Sequence, residues 1–157
     1  MQWQPPLPDR LRINFDGALF TVENKFGIGV VIWNYQGLIL TSFSQLNPQA
    51  YTAAKVEAFA AVRALQFARE LEISKAVLEG DSELIINALK DDGSSLTTRD
   101  LILQDTDFIS AFFTQLRYSH IMREGNMAAY NLARYSRNVL DFVVWMEDAP
   151  PHIYNVA

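Results

Sequence analysis

Leu11, Ile13 and Phe15 alternate with Arg12, Asn14 and Asp16, a period of two that predicts a half-buried strand. Gly27 to Trp33 (GIGVVIW) is rich in β-branched residues and predicts a second strand. Asn34-Tyr35-Gln36-Gly37 reads as a tight turn, and Leu38 to Phe43 as a third strand. Three strands so close in sequence form an antiparallel meander. The period then changes. From about Tyr51 to Leu71 the chain holds seven Ala and no Gly or Pro, which favours a helix. Ala54, Ala58, Ala61, Leu65 and Ala68 give it a narrow face of small residues able to lie close to a sheet. A short strand at Lys75 to Leu78, a helix at Glu83 to Lys90 and a helix at Thr98 to Phe113 follow. Leu101, Asp105, Phe108 and Phe112 run along one side of the last of these. Leu116 to Met122 reads as a strand and Asn126 to Val139 as a final helix. The order βββ-α-β-α-α-β-α predicts an α/β fold. Its mixed five-stranded sheet would have an antiparallel meander, then parallel strands, with helices packed on it.

The ends read differently. Met1 to Asp9 contains Pro5, Pro6 and Pro8 and is expected to be an extended lead-in or linker. A single domain is expected over residues 10–140, with residues 141–157 as a tail around Pro150 and Pro151. Half of the 157 residues are hydrophobic, enough for a real core. No apolar run is long enough to span a bilayer, and MQWQPPLPDR, with no basic or apolar region, is not expected to be a secretory signal. With no Cys, disulfides, thiolate catalysis and cysteine-ligated metals are excluded, and an intracellular setting is expected.

A net charge of −5 argues against a basic coat protein for nucleic acid, but the average hides an asymmetry. Between Leu116 and Asn138 stand Arg117, Arg123, Arg134, Arg137 and His120 against the single Glu124. That stretch is either a solvated face or a grip on phosphates.

Three acids stand at unusual places. Asp16 ends the alternating run LRINFD, on the side of the strand that carries Asn14. Glu57 lies on or beside the apolar face of the Ala-rich helix, where an unpaired carboxylate is costly. Asp81 follows Gly80 at the end of the fourth strand. Each has a plain explanation alone: a turn residue, a flanking surface residue, a helix cap. The topology links them, because the first and fourth strands become neighbours beneath the Ala-rich helix. Gathered carboxylates repel one another unless a cation neutralises them, and hard divalent ions with oxygen ligands are the usual answer. Two such ions about 4 Å apart suit hydrolysis of a phosphodiester.

Taken in order, RINFDGA (Arg12 to Ala18), GIGVVIWNYQG (Gly27 to Gly37), AAKVEAFAAVRAL (Ala53 to Leu65), VLEGDSELIINAL (Val77 to Leu89) and MREGNMAAYNLAR (Met122 to Arg134) cover most of the chain. The set resembles the type 1 ribonuclease H family, and especially the compact plant domains related to reverse-transcriptase-associated ribonuclease H. That resemblance implies a ribonuclease H-like fold, with Asp16, Glu57 and Asp81 as catalytic, metal-binding carboxylates. It also implies Mg²⁺ or Mn²⁺ as cofactor, two ions with substrate, and cleavage of the RNA strand of an RNA–DNA hybrid. The domain is then expected as one module of a larger, retroelement-type polypeptide. Asn14, Gly17, Ser82, Arg123 and Asn126 are the candidates for contact with substrate, although Ser82 and Asn126 are equally good helix caps.

The departures are specific. The family's fourth carboxylate falls where this chain has Tyr130, and a phenol is a poorer ligand for Mg²⁺ than a carboxylate. Glu79 and Glu124 are the nearest acids able to substitute, but each reads first as an ordinary surface or loop acid. The His-bearing loop of longer members has no counterpart, since His120 falls inside the last predicted strand. The region of their basic protrusion is here the short, acidic DDGSSLTT. Two alternatives therefore stand beside the hybrid nuclease. One is a domain with weak or no catalysis that binds nucleic acid or protein. The other is a nuclease for another duplex on the same fold.

Overall fold

A computed structural model of the chain describes residues 10–49, 51–90 and 101–147. In it β1 (Leu11–Phe20), β2 (Lys25–Trp33) and β3 (Ile39–Asn47) form the expected antiparallel meander. The turn between β2 and β3 closes on Asn34, whose side-chain oxygen accepts from the backbone N–H groups of Gln36 and Leu38. Gly37 completes that turn at a φ of +79°, which its missing Cβ allows. Thr52 caps α1 (Ala53–Glu70), its hydroxyl accepting from the Lys55 N–H. The chain crosses through α1 to β4 (Lys75–Gly80), parallel to β1, and then through α2 (Glu83–Lys90) and α3 (Leu101–Ser110) to β5 (Gln115–His120), parallel to β4. A single 3₁₀ turn, Arg123–Asn126, leads into α4 (Met127–Tyr135). The last helical stretch is thus shorter than Asn126 to Val139, because a second 3₁₀ turn takes Ser136–Asn138.

The sheet has six strands, in the order β5-β4-β1-β2-β3-β6, where the sequence pattern predicts five. The sixth, β6 (Phe142–Met146), lies in the stretch read as a tail and pairs antiparallel with β3. The cause is a free edge: β3 would otherwise present unpaired backbone groups, and a charge-free FVVWM segment satisfies them. Phe142 stacks on Phe43 with ring centroids 6.0 Å apart, and Trp145 meets the Tyr135 ring at 5.7 Å.

Helices cover both faces. On one, α1 lays Ala58, Ala61, Leu65 and Ala68 against Ile13, Phe15, Val30 and Leu78; Ala54, at the exposed start of the helix, is left out. On the other, α4 packs across β1, β2 and β3. A Cβ on Gly29 of β2 would lie 2.2 Å from the Ala129 carbonyl oxygen, so this close approach requires glycine. The buried side of α3 is not the one that carries Phe108 and Phe112. Thr106 and Ile109 are buried, with Phe113 just past the helix end, whereas Phe108 and Phe112 are exposed, Phe112 beneath the Arg69 guanidinium. The Met1 to Asp9 lead-in, the DDGSSLTT region and residues 148–157 lie outside the described residues. Among the described residues no helix is long and apolar enough to cross a membrane.

Candidate metal centre

The β1–β4 ladder runs from Leu11 opposite Ala76 to Asn14 opposite Glu79. Partners in it are 65 residues apart, as Asn14 and Glu79 are, and the same offset separates Asp16 from Asp81. The two aspartates therefore stand level, just beyond the last paired rung. The third acid arrives from above. A Cβ on Gly17 would lie 2.6 Å from Val56 Cγ1, so only glycine lets α1 settle this close to β1. At that distance the Gly17 N–H donates both to Asp16 Oδ1 (3.0 Å) and to Glu57 Oε1 (3.1 Å). One backbone donor thus holds two carboxyl groups from different elements. One oxygen from each of Asp16, Glu57 and Asp81 lies within 4.8 Å of the others, the only such group among the described residues.

The electrostatics are those of an unfinished site. Burial pushes the Asp16 carboxyl up from 3.8 to about 6; Glu57 and the Gly17 N–H oppose the rise by hydrogen bonding, and Asp81 adds to it. Burial also drives Glu57 from 4.5 to about 10, reinforced by the charge of Asp16 and by the hydrogen bond between them. With no cation present, Glu57 keeps its proton and can donate it to Asp16. As a carboxylate it instead leaves Oε2 buried without a partner, and Asp81 Oδ2 is in the same condition. Buried charge without a partner is among the costliest features a fold can carry. Three hard oxygen donors, two of them with an unsatisfied atom, fit a divalent cation of the Mg²⁺ class.

The other candidate residues divide around this cluster. Glu79 does not join it: Arg12 Nε donates to its Oε1 at 2.9 Å and Asn14 Nδ2 at 3.1 Å. Glu124 is exposed in the 3₁₀ turn and also stands outside the group. Asn14 thus orients Glu79 while its own Oδ1 stays buried and unpartnered. Asn126 precedes α4 but makes no side-chain cap; its Nδ2 instead donates to the Phe15 carbonyl at 2.9 Å, tying α4 to β1 beside Asp16. Ser82 accepts from the Ile85 N–H at 3.4 Å, a long cap for α2. His120 is exposed at the end of β5, opposite Gly80. Arg123 Nε lies 3.7 Å from Asp81 Oδ2, and its guanidinium sits over the Tyr130 ring, 5.2 Å from the centroid. Arg134 sits over the same ring at 4.8 Å. Sequence reasoning missed this role for Arg134, although its i, i+4 spacing from Tyr130 on a helix was the signal. Arg137 pairs with Glu23 instead, over the Phe20 ring.

The profile of the family described as "Reverse transcriptase-like" matches residues 14–136. No relative among curated proteins matches the chain. Similar solved structures include ribonuclease H1 from the halophilic archaeon Halobacterium salinarum NRC-1, with a TM-score of 0.73 at 23% identity over 82% of this chain and 98% of that one. The N-terminal ribonuclease H domain of a Mycobacterium tuberculosis protein gives 0.71 at 19% identity, over 82% and 94%. LC11 ribonuclease H1, solved in complex with an RNA/DNA hybrid, gives 0.68 at 24% identity, over 82% and 96%. At these identities the likeness speaks for the fold.

Proposed function

The chain belongs to the reverse transcriptase-like family, and we propose that it is a metal-dependent endonuclease cutting the RNA strand of RNA–DNA hybrids. The observation that carries this reading is the meeting of Asp16, Glu57 and Asp81, whose oxygens converge with two of them unsatisfied. Nothing about packing calls for one buried and two half-buried acids at one point, whereas hydrolysis of a phosphodiester does. Bound there, Mg²⁺ or Mn²⁺ supplies the Lewis acidity that lowers the pKa of an attacking water and stabilises the departing oxygen. The protein's part is positional. Gly17 fixes the orientation of two carboxyl groups, and Asn126 fixes the distance between α4 and β1. Asn14 and Asn126 flank the cluster as proposed contacts for the hydroxyl that distinguishes ribose from deoxyribose. Ser82 and Arg123 complete the set facing the nucleic acid. The same family membership supports a place within a larger reverse-transcriptase-type polypeptide.

The test is a labelled hybrid incubated with the purified protein across a titration of Mg²⁺ and Mn²⁺. Cleavage confined to the RNA strand is expected. Tyr130, with two guanidinium groups over its ring, favours one second reading, a domain that binds nucleic acid without cutting it. An inert wild type that gains cutting as Tyr130→Asp would establish that reading. Preference for duplex DNA or duplex RNA would instead point to another nuclease on this fold.

A further inference from the structure

Beside the carboxylate cluster the chain has built the opposite charge. Arg123 and Arg134 both place their guanidinium groups over the Tyr130 ring, at 5.2 and 4.8 Å from its centroid. Both side chains reach it from exposed positions, while the ring is half-buried. A ring that holds two like charges in one place offsets part of their repulsion through its π-face. The arrangement has little to give a stable fold, because exposed cations repel and gain most when they stay apart in water. Arg123 also sits 3.7 Å from Asp81 Oδ2, near enough for Coulomb attraction and too far for a hydrogen bond. Among the described residues it has no other ion-pair partner. It thus acts as a counter-charge for Asp81 while leaving that oxygen unsatisfied.

Resting on the nuclease reading above, we propose that Arg123 and Arg134, braced on Tyr130, form a clamp for a backbone phosphate of the cut strand, and that Arg123 exchanges Asp81 for this phosphate when a divalent cation takes the carboxylates. The physical sequence follows from charge. A cation among Asp16, Glu57 and Asp81 draws on the same Asp81 oxygen that Arg123 neutralises, and repels the guanidinium at short range. The released guanidinium finds beside it a phosphate whose two free oxygens match its planar fork. Tyr130 limits how far it can swing. In this chain the Tyr130 position therefore serves the substrate rather than the metal.

Two binding measurements without turnover test this. In calorimetry with Mn²⁺ alone, Arg123→Gln should bind the ion about two- to fivefold more tightly than wild type, because a competing charge is gone. With a labelled hybrid in Ca²⁺, the same variant and Arg134→Gln should each bind roughly 10-fold more weakly. Each should also lower the slope of log affinity against log salt by about 1. Tyr130→Leu should weaken hybrid binding as well, and Tyr130→Phe, which returns the ring without its hydroxyl, should restore it. The clamp is overturned if Arg123→Gln changes neither ion affinity nor salt slope, or if Tyr130→Phe weakens Mn²⁺ binding, which would make the phenol a metal ligand. Those failures leave hybrid cutting by wild type intact. A wild type that neither cuts nor binds the hybrid removes the nuclease reading and the clamp together.

Discussion

Two sets of acid stand near the end of the β1–β4 ladder, and the fold treats them in opposite ways. Glu79 is balanced from within: Arg12 and Asn14 both donate to its Oε1, and Arg12 supplies the counter-charge before any ligand arrives. Two residues further along both strands, Asp16 shares a backbone N–H with Glu57, Asp81 faces one distant guanidinium, and Glu57 and Asp81 each keep an oxygen without a partner. Burial is similar and the chemistry is the same. Only the source of counter-charge differs. A buried carboxylate whose cation belongs to the chain is structural, and one whose cation must come from outside marks a site.

Substitution should separate the two sets by sign. On the proposed function Asp16→Asn removes a metal ligand, so hybrid cutting should fall by at least about 100-fold. The same change deletes a buried charge, so the metal-free protein should melt at a higher temperature than wild type at pH 8. Arg12→Ala should do the reverse. It strands Glu79 in the interior and is expected to destabilise by about 1–3 kcal/mol, reduced from a fully buried pair because Arg12 is partly exposed. Cutting at saturating metal should then stay near wild type. Parallel melting curves and cleavage rates decide the matter. If Asp16→Asn lowers the metal-free melting temperature, the cluster is held together by internal contacts and the contrast with Glu79 disappears.

Gly17 probes the contrast through geometry. Its replacement by Ala puts a Cβ 2.6 Å from Val56 Cγ1 and forces α1 away from β1. Overpacking of this kind costs about 1–3 kcal/mol, and it should also weaken Mn²⁺ binding, because Glu57 travels with the helix. The Arg12–Glu79 pair, held between β1 and β4, should be untouched. A Gly17→Ala protein with unaltered ion affinity would mean that α1 does not set the position of Glu57.

Much of this was legible before any coordinates, for reasons that can be named. The alternation of Leu11 to Asp16 reports a strand with two different faces, and it singled out Asp16 because an acid sat where the pattern allowed burial. Glu57 stood out as an acid beside an alanine face, and Asp81 as one at a strand end. Their convergence was expected from the topology that sets β1 beside β4 beneath α1, while the register that makes Asp16 and Asp81 level pairs residues 65 apart and leaves no trace in local pattern. The Arg12–Glu79 pairing was hidden for the same reason, so Glu79 read as a loose surface acid. β6 escaped because a five-residue apolar run before a proline pair gains strand character only from the edge of β3. The buried face of α3 was not assigned from sequence, because Phe outranks Thr in any hydrophobic pattern. In the fold Thr106 is buried while Phe112 rests beneath Arg69 at 3.5 Å.

A further test reads the same asymmetry through protons. A carboxyl whose folded value is raised binds protons more tightly folded than unfolded. Its contribution to stability is therefore complete below the ordinary value and is lost as the pH rises through the folded one. For Asp16 that loss runs from 3.8 to about 6, and for Glu57 from 4.5 to about 10. The metal-free protein should thus melt progressively lower as the pH rises from 5 to 9. The shift is about 2–4 °C for each kcal/mol lost in a domain of this size. Saturating Mg²⁺ should flatten the trend, since the ion replaces the proton as counter-charge, and above pH 7 its binding should expel the proton held by Glu57. Titrating Mg²⁺ calorimetrically in two buffers of different ionisation enthalpy measures that proton directly. Heats that agree between the buffers would show Glu57 already ionised in the free protein, and with it an internal balance of charge like the one Arg12 provides for Glu79.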